Sequence, residues 1–361
     1  MSGRPGTTTG AARRPLRIAL VGFGHVGRRL AARLSRSGPY ARALRAAGVT
    51  PRVTGIATAR HGLAVDERGL SLARCLSAVR AGRSLAAFHR GPPLASAAAF
   101  VRRVPADVLV ELTPLDPRRG EPAIAHVRAA LRRGLHVVTA NKGPVAFAYR
   151  SLRGLAGRRR RLFLHEAAVM DGAPVFNLVE RCLPGARVLG FRGTLNSTTS
   201  LVLTRIEQGM AAAAAVREAQ ALGIAEADPA NDLDGWDAAV KGAALASALM
   251  DAPVRPARVR RRGIQSLPAA AVRRAARQGR PFRLVTRAWR AAGGVRVRVG
   301  PERLAVEDPL YGAGSDSALV LQTDLMGEIA VLERGGTVEQ TAYGLLSDLV
   351  AVARAHAARR P

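Results

Sequence analysis

A glycine-rich turn directly after a short apolar run constrains this chain more than any other feature. Residues 17–21 (RIALV) predict a buried strand, and GFGHVG follows before a helical pattern that continues to about residue 36. Glycines at these positions permit a tight turn and let a pyrophosphate approach bare backbone at a helix N-terminus. The pattern predicts a Rossmann-type dinucleotide-binding domain, with a purely structural turn as the alternative. The expected cofactor contacts are Gly22, Phe23, Gly24, His25, Val26 and Gly27.

The end of the second predicted strand bears on which dinucleotide is bound. This strand covers residues 52–57, and an Asp or Glu after it would hold the ribose 2′-hydroxyl of NAD(H). The chain has Thr58-Ala59-Arg60 there instead. Because the Arg60 guanidinium can meet a 2′-phosphate, the pattern favours NADP(H) over NAD(H). The alternative is that Arg60 is one more surface arginine.

The basic residues of this chain are very unevenly divided between lysine and arginine. The net charge is +30, from 56 basic and 26 acidic residues, yet the only lysines are Lys142 and Lys241. The arginines are scattered and aromatic residues make up 4%, so we expect solvated arginine faces and no specific nucleic-acid partner. The two lysines are candidates for positions that need an amine, since lysine can release a proton and arginine cannot.

Lys142 follows a predicted strand of the first domain. Residues 107–112 (DVLVEL) predict one buried strand that ends at Thr113, and residues 135–140 (LHVVTA) predict another that delivers Asn141 and Lys142 at its carboxyl end. In doubly wound sheets this is the edge at which ligands bind. We therefore expect Lys142 beside the cofactor and the substrate.

The second half of the chain predicts an α+β domain. Strands are expected at residues 161–165, 188–195, 318–321 and 328–332, with a hairpin around Gly293-Gly294 and a closing helix at 341–354. The predicted organisation is α/β: a disordered leader (1–14), a doubly wound nucleotide-binding domain (15–150), a substrate and dimerisation domain (151–335), and a C-terminal helix (336–361) that returns to the first domain.

Residues 223–241 (GIAEADPANDLDGWDAAVK) form the densest polar stretch, with five carboxylates in an arginine-rich chain. The stretch lacks the spacing of an EF-hand calcium loop. It remains open to interpretation as an acidic surface loop or as a pocket for a substrate ammonium group. Asp237 and Lys241 stand four residues apart on a predicted helix, so they can pair directly.

Several classes of protein are not indicated by the sequence. No apolar run approaches the length of a membrane span, and the N-terminus does not resemble a secretory signal. Cys75 and Cys182 provide neither a disulfide framework nor a metal-ligand cluster. We therefore expect a cytoplasmic protein that acts on a small molecule and does not associate with membranes.

Four segments, in this order and spacing, resemble homoserine dehydrogenases of the short form: GFGHVG, LHVVTANKGPVA, HEAAVMDGAP and the acidic stretch ending at Lys241. The resemblance covers roughly residues 15–355. It implies the reversible, nicotinamide-dependent conversion of L-aspartate 4-semialdehyde to L-homoserine, in threonine and methionine biosynthesis. It also implies a homodimer formed through the sheet of the substrate domain.

The resemblance assigns roles to particular residues. It implies that Lys241 is the proton donor, held by Asp237, with Lys142 beside the nicotinamide and the substrate, although the two lysine roles could be exchanged. It further implies that Glu226, Asp232 and Asp237 hold the substrate's amino end or the catalytic lysine. Thr113 is expected near the cofactor. A structural sodium or potassium ion is expected at Glu166 and at Val169, Asp171 and Ala173.

Two departures from the family pattern and two alternatives accompany this interpretation. Residues 333–337 (ERGGT) replace the GxGAG that is usual in the family, which weakens the case for a cofactor contact from Gly336. The C-terminal regulatory domain of longer members is not expected.

One alternative is another nicotinamide-dependent dehydrogenase of a small amino acid, such as an aspartate dehydrogenase. The other is a basic nucleotide-binding protein without catalysis.

Overall fold

The structure is a computed structural model that describes residues 14–312 and 314–358. The leader predicted at residues 1–14 lies outside the described residues, except for Arg14, which begins the first strand. The described residues form two sheets with helices packed on them, which confirms the predicted α/β class.

The first sheet is a Rossmann-type sheet with the strand order β3-β2-β1-β4-β5-β6. Adjacent strands are parallel except β3, which runs antiparallel to β2. Helices cover both faces, so the strands read as nearly continuous apolar runs. The strands are β1 (Arg14–Val21), β2 (Val49–Ala57), β3 (Leu63–Val65), β4 (Val108–Glu111), β5 (His136–Thr139) and β6 (Phe163–Leu164).

The helices of the first domain extend past its predicted end. They are α1 (His25–Arg33), α2 (Pro39–Ala46), α3 (Leu72–Arg80), α4 (Ala97–Arg103), α5 (Ala123–Arg132) and α6 (Lys142–Arg158), with a 3-10 turn at Leu85–Phe88. The boundary predicted at residue 150 falls inside α6, and β6 still pairs with β5. The first domain therefore continues to about residue 165, because α6 is the crossover that returns the chain to its sheet.

The second sheet has the order β12-β11-β7-β9-β10-β8 and is mainly antiparallel. The hairpin predicted around Gly293-Gly294 joins β9 to β10, and both glycines have positive φ angles. The strands are β7 (Val188–Thr194), β8 (Arg260–Arg261), β9 (Phe282–Ala291), β10 (Gly294–Arg303), β11 (Ser317–Thr323) and β12 (Glu328–Glu333).

Helix α11 lies directly on the second sheet and carries the central charged residues of the acidic stretch. A Cβ at Gly242 would lie 2.7 Å from the Thr286 methyl carbon, so glycine is what allows this approach. The helices of this domain are α7 (Val175–Asn177), α8 (Ser197–Glu207), α9 (Ala212–Ala221), α10 (Ala230–Leu233), α11 (Trp236–Leu249) and α12 (Ala269–Arg277). A π-helical segment occupies Leu178–Cys182, and 3-10 turns occupy Glu166–Ala168 and Pro256–Arg258.

The last helix, α13 (Val338–Ala358), packs on the first domain. Its apolar side chains, including Leu345 and Leu349, share a core with Leu30 of α1, and Glu339 accepts a hydrogen bond from Arg33 at 2.9 Å. Among the described helices, none is both long enough and apolar enough to span a membrane.

Candidate active site

The glycine-rich turn after β1 forms an open cradle at the start of α1. Gly22 has a φ of +99°, and a Cβ there would lie 2.4 Å from the carbonyl oxygen of Leu112. A Cβ at Gly27 would lie 2.7 Å from the Gly22 carbonyl oxygen, whereas one at Gly24 would meet no atom within 4 Å. Gly24 caps α1 without a side-chain hydrogen bond, which leaves the first N–H groups of the helix free for a phosphate. The turn therefore fits a dinucleotide.

The remaining residues of this turn differ in their placement. Val26 lines a cavity of about 280 Å³ that also reaches Thr113, Lys142 and Lys241. His25 is exposed at the start of α1. Phe23 is 6% exposed and packs in the core of the first domain, so its side chain faces away from the cradle.

The turn after β2 carries Arg60 at the surface. The hydroxyl of Thr58 donates to the carbonyl oxygen of Gly62 at 2.9 Å and accepts the His61 N–H at 2.7 Å, which closes the turn. Arg60 is exposed and makes no ion pair within the part of the chain that the structure describes. No carboxylate follows β2 before this arginine.

A buried network joins the carboxyl ends of β4 and β5. Glu111 is fully buried, and its carboxylate accepts hydrogen bonds from the backbone N–H of Thr113 at 3.1 Å, from the Thr113 hydroxyl and from the Thr139 hydroxyl at 3.3 Å. Asn141 donates to the Thr113 carbonyl oxygen at 2.8 Å and accepts the Gly143 N–H at 2.8 Å as the N-cap of α6. The network fixes Thr113 and the first turn of α6, which contains Lys142.

The two lysines share a single carboxylate. The Lys142 Nζ lies 3.0 Å from Asp237 Oδ1, and the Lys241 Nζ lies 3.4 Å from Asp237 Oδ2. Lys241 also donates to the Leu195 carbonyl oxygen at 2.5 Å. The pairing of Asp237 with Lys241 was predicted from their spacing; the closer contact, to Lys142, joins α6 of the first domain to α11 of the second.

Asp232 lies next to this pair and is held from β7 and α8. Asn196 donates to Asp232 Oδ1 at 2.7 Å and to Asp237 Oδ2 at 3.1 Å, and Thr198 donates to Asp232 Oδ2 at 2.9 Å. Glu226 is exposed on the preceding loop. These residues and both lysines line a cavity of about 380 Å³.

The pKa shifts of Asp237, Lys142 and Asp232 follow from burial and from neighbouring charges. Burial alone would raise the pKa of Asp237, but the two ammonium groups hold it well below the usual range for a carboxyl group. Burial alone would lower the pKa of Lys142, but Asp237 raises it above its usual value. Burial and the adjacent Asp237 charge raise the pKa of Asp232. Asp237 is therefore ionised and Lys142 is protonated at neutral pH.

The loop proposed for a cation packs between the two domains. Glu166 accepts the backbone N–H groups of Phe176 and Asn177, each at 2.8 Å, and also the Asn177 amide, so it caps α7. Asp171 has a φ of +39°, accepts from the Thr341 hydroxyl at 2.9 Å and lines the smaller cavity together with Val169. The Ala173 carbonyl oxygen accepts the Val175 N–H at 2.8 Å. Cation binding there stays a prediction.

Several residues that shape the site have no role that the sequence alone predicts. Asn196 and Thr198 orient Asp232 and Asp237. They follow the strand predicted at residues 188–195, where polar side chains suit helix capping and contacts with a polar ligand, but the sequence links them to neither carboxylate. Glu111 was predicted only as part of the buried strand at residues 107–112. A carboxylate within such an apolar run could have indicated a functional role, because buried carboxylates are rare unless they have partners. Thr341 gave no signal, because its contact with Asp171 comes from a distant part of the chain.

The geometry of the two cavities defines a class of protein. The phosphate-binding turn borders the smaller cavity, and the larger, polar cavity lies beside it. Lys142 and Lys241 line both cavities, and the carboxylate of Asp237 pairs with both lysines. This is the arrangement of a nicotinamide-dependent dehydrogenase of a small polar substrate.

Comparison with known proteins gives the family. The sequence model described as homoserine dehydrogenase matches residues 174–350, and the one described as homoserine dehydrogenase, NAD binding domain, matches residues 22–166. An NAD(+)-dependent homoserine dehydrogenase of Pseudomonas canavaninivorans is 36% identical over 92% of this chain and 95% of its own length. The homoserine dehydrogenase of Methanocaldococcus jannaschii is 33% identical over 92% of this chain and 97% of its own length.

Solved structures agree with these sequence matches. A putative homoserine dehydrogenase from Archaeoglobus fulgidus superposes with a TM-score of 0.82 at 31% identity, over 94% of this chain and 99% of its own. A hyperthermophilic archaeal homoserine dehydrogenase in complex with NADPH gives a TM-score of 0.79 at 27% identity, over 94% and 97% of the two chains. The chain belongs to the homoserine dehydrogenase family and is an oxidoreductase with a nicotinamide-cofactor domain.

Proposed function

We propose that the two lysines and Asp237 carry out the chemistry of L-homoserine oxidation and L-aspartate 4-semialdehyde reduction. The observation that supports this most is the shared carboxylate, which holds both ammonium groups where the two cavities meet. Lys241 is the proton donor to the aldehyde oxygen, and Lys142 stabilises the negative charge that develops there. An ammonium group can do both, because it carries a charge and can release a proton.

The remaining residues position the substrate. Asp232 and Glu226 line the larger cavity and are the groups that bind the substrate ammonium, with Asn196 and Thr198 fixing Asp232.

The cofactor, when bound, supplies or accepts the hydride at its nicotinamide ring. In the oxidative direction Lys241 accepts the hydroxyl proton of homoserine, so the reaction needs a neutral amine and is expected to accelerate toward alkaline pH.

Replacing Lys241 by arginine separates charge from proton transfer. In Lys241→Arg the cation can still pair with Asp237, but a guanidinium does not release a proton in the accessible pH range. We expect kcat for homoserine oxidation to fall by at least ~100-fold, the usual contribution of general acid–base catalysis. Steady-state rates at 340 nm measure this.

The matched control is Lys142→Arg, which keeps the charge assigned to stabilisation. We expect it to lose less activity than Lys241→Arg and to retain the alkaline rise in rate. Near-normal turnover in Lys241→Arg would contradict the proton-donor assignment. A flat pH profile from pH 6 to 10, with hydride transfer rate-limiting, would contradict a titrating lysine altogether.

We also propose that NADP(H) is favoured over NAD(H). Arg60 follows β2, where an NAD-specific site would carry a carboxylate; it is exposed, and no carboxylate among the described residues pairs with it. The relatives divide on this point, one being named NAD(+)-dependent and another being in complex with NADPH. Arg60 is the residue on which the preference of this chain depends.

Arg60→Ala tests that preference. We expect KM for NADP⁺ to rise by about tenfold or more while KM for NAD⁺ stays within about twofold, since the lost contact is a charge-assisted bond to the 2′-phosphate. Arg80→Ala, at the exposed end of α3, is the matched control. Equal changes in both KM values would assign Arg60 to the protein surface alone.

Two further proposals rest on the resemblance and on local geometry. A sodium or potassium ion would be held by backbone oxygens of the loop at Val169, Asp171 and Ala173 together with Glu166, and equilibrium dialysis against either cation tests it. A homodimer would form through the second sheet, whose edge strand exposes Leu332 (58%) and whose β11–β12 turn exposes Leu325 and Met326. Light scattering of the purified protein measures the oligomeric state.

A further inference from the structure

Thr113 lies between the glycine-rich turn and the two lysines. A Cβ at Gly22 would come within 2.9 Å of the Thr113 backbone nitrogen, so Thr113 adjoins the phosphate-binding turn. Thr113 also lines the smaller cavity, which reaches from Val26 at the start of α1 to Lys142 and Lys241. A dinucleotide whose pyrophosphate lies at the turn would therefore extend its nicotinamide end past Thr113.

Glu111 takes up both hydrogen-bond donors of Thr113. Its Oε1 atom accepts the backbone N–H of Thr113 at 3.1 Å and also the Thr113 hydroxyl. The Thr113 carbonyl oxygen accepts a hydrogen bond from the Asn141 amide at 2.8 Å. A threonine residue has no donor besides its N–H and its hydroxyl. Thr113 can therefore offer a ligand only oxygen lone pairs, which bind a group that donates.

The direction of the hydroxyl bond follows from the other contacts of the Glu111 carboxylate. Oε1 already accepts an N–H, and Oε2 lies 3.3 Å from the Thr139 hydroxyl. The Thr139 oxygen accepts the Asn141 N–H at 2.9 Å, so its own proton is free to point to Glu111. Both oxygens of Glu111 thus act as acceptors, as in an ionised carboxylate, which has no proton to donate. The proton between Thr113 and Glu111 belongs to Thr113.

Burial holds this arrangement in place. Glu111 is 0% exposed, and the Nδ1 atom of the buried His126 on α5 lies 3.6 Å from Oε1. Within the described part of the chain, this nitrogen has no hydrogen-bond partner. The hydroxyls of Thr113 and Thr139 therefore supply the hydrogen bonds that a buried carboxylate needs. Turning the Thr113 hydroxyl toward a ligand would remove one of these bonds, so its orientation is fixed.

The nicotinamide side chain contains a group that matches this polarity. It is a carboxamide, with an NH₂ donor and a carbonyl acceptor. The Asn141 amide, which also lines the cavity, already donates to the Thr113 and Pro114 carbonyl oxygens, and its oxygen accepts the Gly143 N–H. Asn141 is thus engaged within the protein, whereas the Thr113 hydroxyl oxygen keeps lone pairs for an NH₂ group.

We propose that Glu111 is a positioning residue that makes Thr113 a pure acceptor for the carboxamide NH₂ of the nicotinamide cofactor. Glu111 acts through Thr113 and does not itself touch the cofactor. The inference rests on the proposed function in one respect, the placement of Thr113 beside the cofactor. It does not depend on which substrate is oxidised.

The test compares the cofactor with its 3-acetylpyridine analogue, in which a methyl ketone replaces the carboxamide. The analogue keeps the carbonyl acceptor and lacks the N–H donors. Dissociation constants are measured by isothermal titration without homoserine, for whichever of NADP⁺ and NAD⁺ the wild type binds more tightly and for the matching analogue. The discrimination ratio is the dissociation constant of the analogue divided by that of the cofactor.

The variants are Thr113→Val, Thr113→Ser, Glu111→Gln and Glu111→Leu. The matched control is Thr54→Val on β2 of the same sheet. Thr54 is fully buried, and its hydroxyl donates to the Pro105 carbonyl oxygen at 2.6 Å, away from both cavities. This control therefore removes a buried hydroxyl of the first domain without altering the candidate site.

The Thr113 variants test the polarity of the hydroxyl while leaving the buried Glu111 unchanged. We expect the wild type to have a discrimination ratio of at least ~10, because a methyl group leaves the Thr113 acceptor without a donor. Thr113→Val has no such acceptor, so its ratio should fall to about two or less. Thr113→Ser and Thr54→Val should keep the wild-type ratio.

The Glu111 variants test the positioning role. In Glu111→Leu the Thr113 hydroxyl loses its acceptor and can turn to donate to the carbonyl of either ligand. We expect the ratio to fall by about fivefold or more in this variant, whose folding is checked by circular dichroism. In Glu111→Gln the amide oxygen can still accept both donors of Thr113, so the ratio should be retained. A purely structural role would weaken both ligands equally and leave the ratio unchanged.

Several results would overturn the proposal. A wild-type ratio close to one, or a high ratio that persists in Thr113→Val, would show that the carboxamide NH₂ does not bind Thr113. An unchanged ratio in folded Glu111→Leu would limit Glu111 to a structural role. Normal cofactor binding without homoserine oxidation would instead contradict the proposed function and leave this inference in place, so the two failures are distinguishable.

Discussion

Asp237 is the residue on which the charge balance of the site depends. It is mostly buried between two ammonium groups, which together lower its pKa and keep it ionised. Its pairing with Lys241 follows from helical spacing and could be predicted from the sequence. Its pairing with Lys142 could not, because the two residues belong to different domains and meet only when α6 packs against α11.

Asp348 is a buried carboxyl group that lies outside the active site. It is 2% exposed on α13, and its Oδ2 accepts the backbone N–H of Glu166 at 2.9 Å. Burial raises its pKa well above the usual range, and the nearby Glu166 charge adds to this rise. A carboxyl group with a raised pKa in the folded state binds a proton on folding. Its contribution to stability is therefore lost as pH rises above its unfolded pKa.

Asp348→Asn should stabilise the protein, and increasingly so as pH rises. The amide oxygen can still accept the Glu166 N–H, and the variant has no proton to bind on folding. We expect its free energy of unfolding to exceed that of the wild type by at least ~1 kcal/mol at pH 8 and by less at pH 5, one pKa unit being worth about 1.4 kcal/mol. Urea unfolding at the two pH values measures this, with Asp234→Asn as an exposed control. A difference that shrinks toward pH 8 would contradict a raised pKa.

At the scale of elements, two helix N-termini carry the site. Asn141 caps α6 and Asn196 caps α8, each accepting a backbone N–H of its own helix. Their amide donors point to Thr113 and to the carboxylates of Asp232 and Asp237. Each of these asparagines therefore caps a helix and also orients a residue of the candidate active site.

Asn141→Ala should cost both stability and turnover. Loss of an N-cap costs about 1 kcal/mol, and release of the α6 N-terminus displaces Lys142. Ser96 caps α4 in the same way, through the Ala99 N–H at 3.1 Å, but lies away from the site. We expect Asn141→Ala and Ser96→Ala to lose similar free energies of unfolding, while kcat falls by about tenfold or more only in Asn141→Ala. Equal kcat values in the two variants would limit Asn141 to a structural role.

The elements that could be predicted are those whose local pattern matches their final environment. β1 and the turn after it were predictable because burial and glycine spacing are both local signals. β8 consists of Arg260–Arg261, and its polar residues give no strand signal. It forms only because β10 offers it a partner. α10 is a four-residue helix in an acidic stretch, and its short polar sequence likewise does not predict a helix.

At the scale of the whole molecule, the candidate active site exists only where the two domains meet. Lys142 comes from the first domain, Lys241 and Asp237 from the second, and Thr341 from the helix that returns to the first. The types of residue could be predicted from the sequence, and the family resemblance placed them in order. Distances across the domain boundary could not, since they depend on how α6, α11 and α13 pack together.

The net charge of +30 does not determine what the molecule does. Several arginines are neutralised by specific carboxylates, such as Arg17 by Asp107 and Arg205 by Glu218. Arg260 of β8 and Arg298 of β10 stand opposite each other and form no ion pair among the described residues. The whole-chain charge gave no indication of that position, because strand pairing brings those arginines together.

The measurement that tests the account most directly is absorbance at 340 nm with purified protein, L-homoserine and NADP⁺ or NAD⁺ at about pH 9. L-Aspartate replaces homoserine in a parallel assay. Reduced cofactor is expected to form with homoserine and not with aspartate, and NADP⁺ is expected to support the higher kcat/KM. Reduced cofactor with aspartate alone, or no oxidation of NADPH or NADH by L-aspartate 4-semialdehyde in the reverse direction, would contradict it.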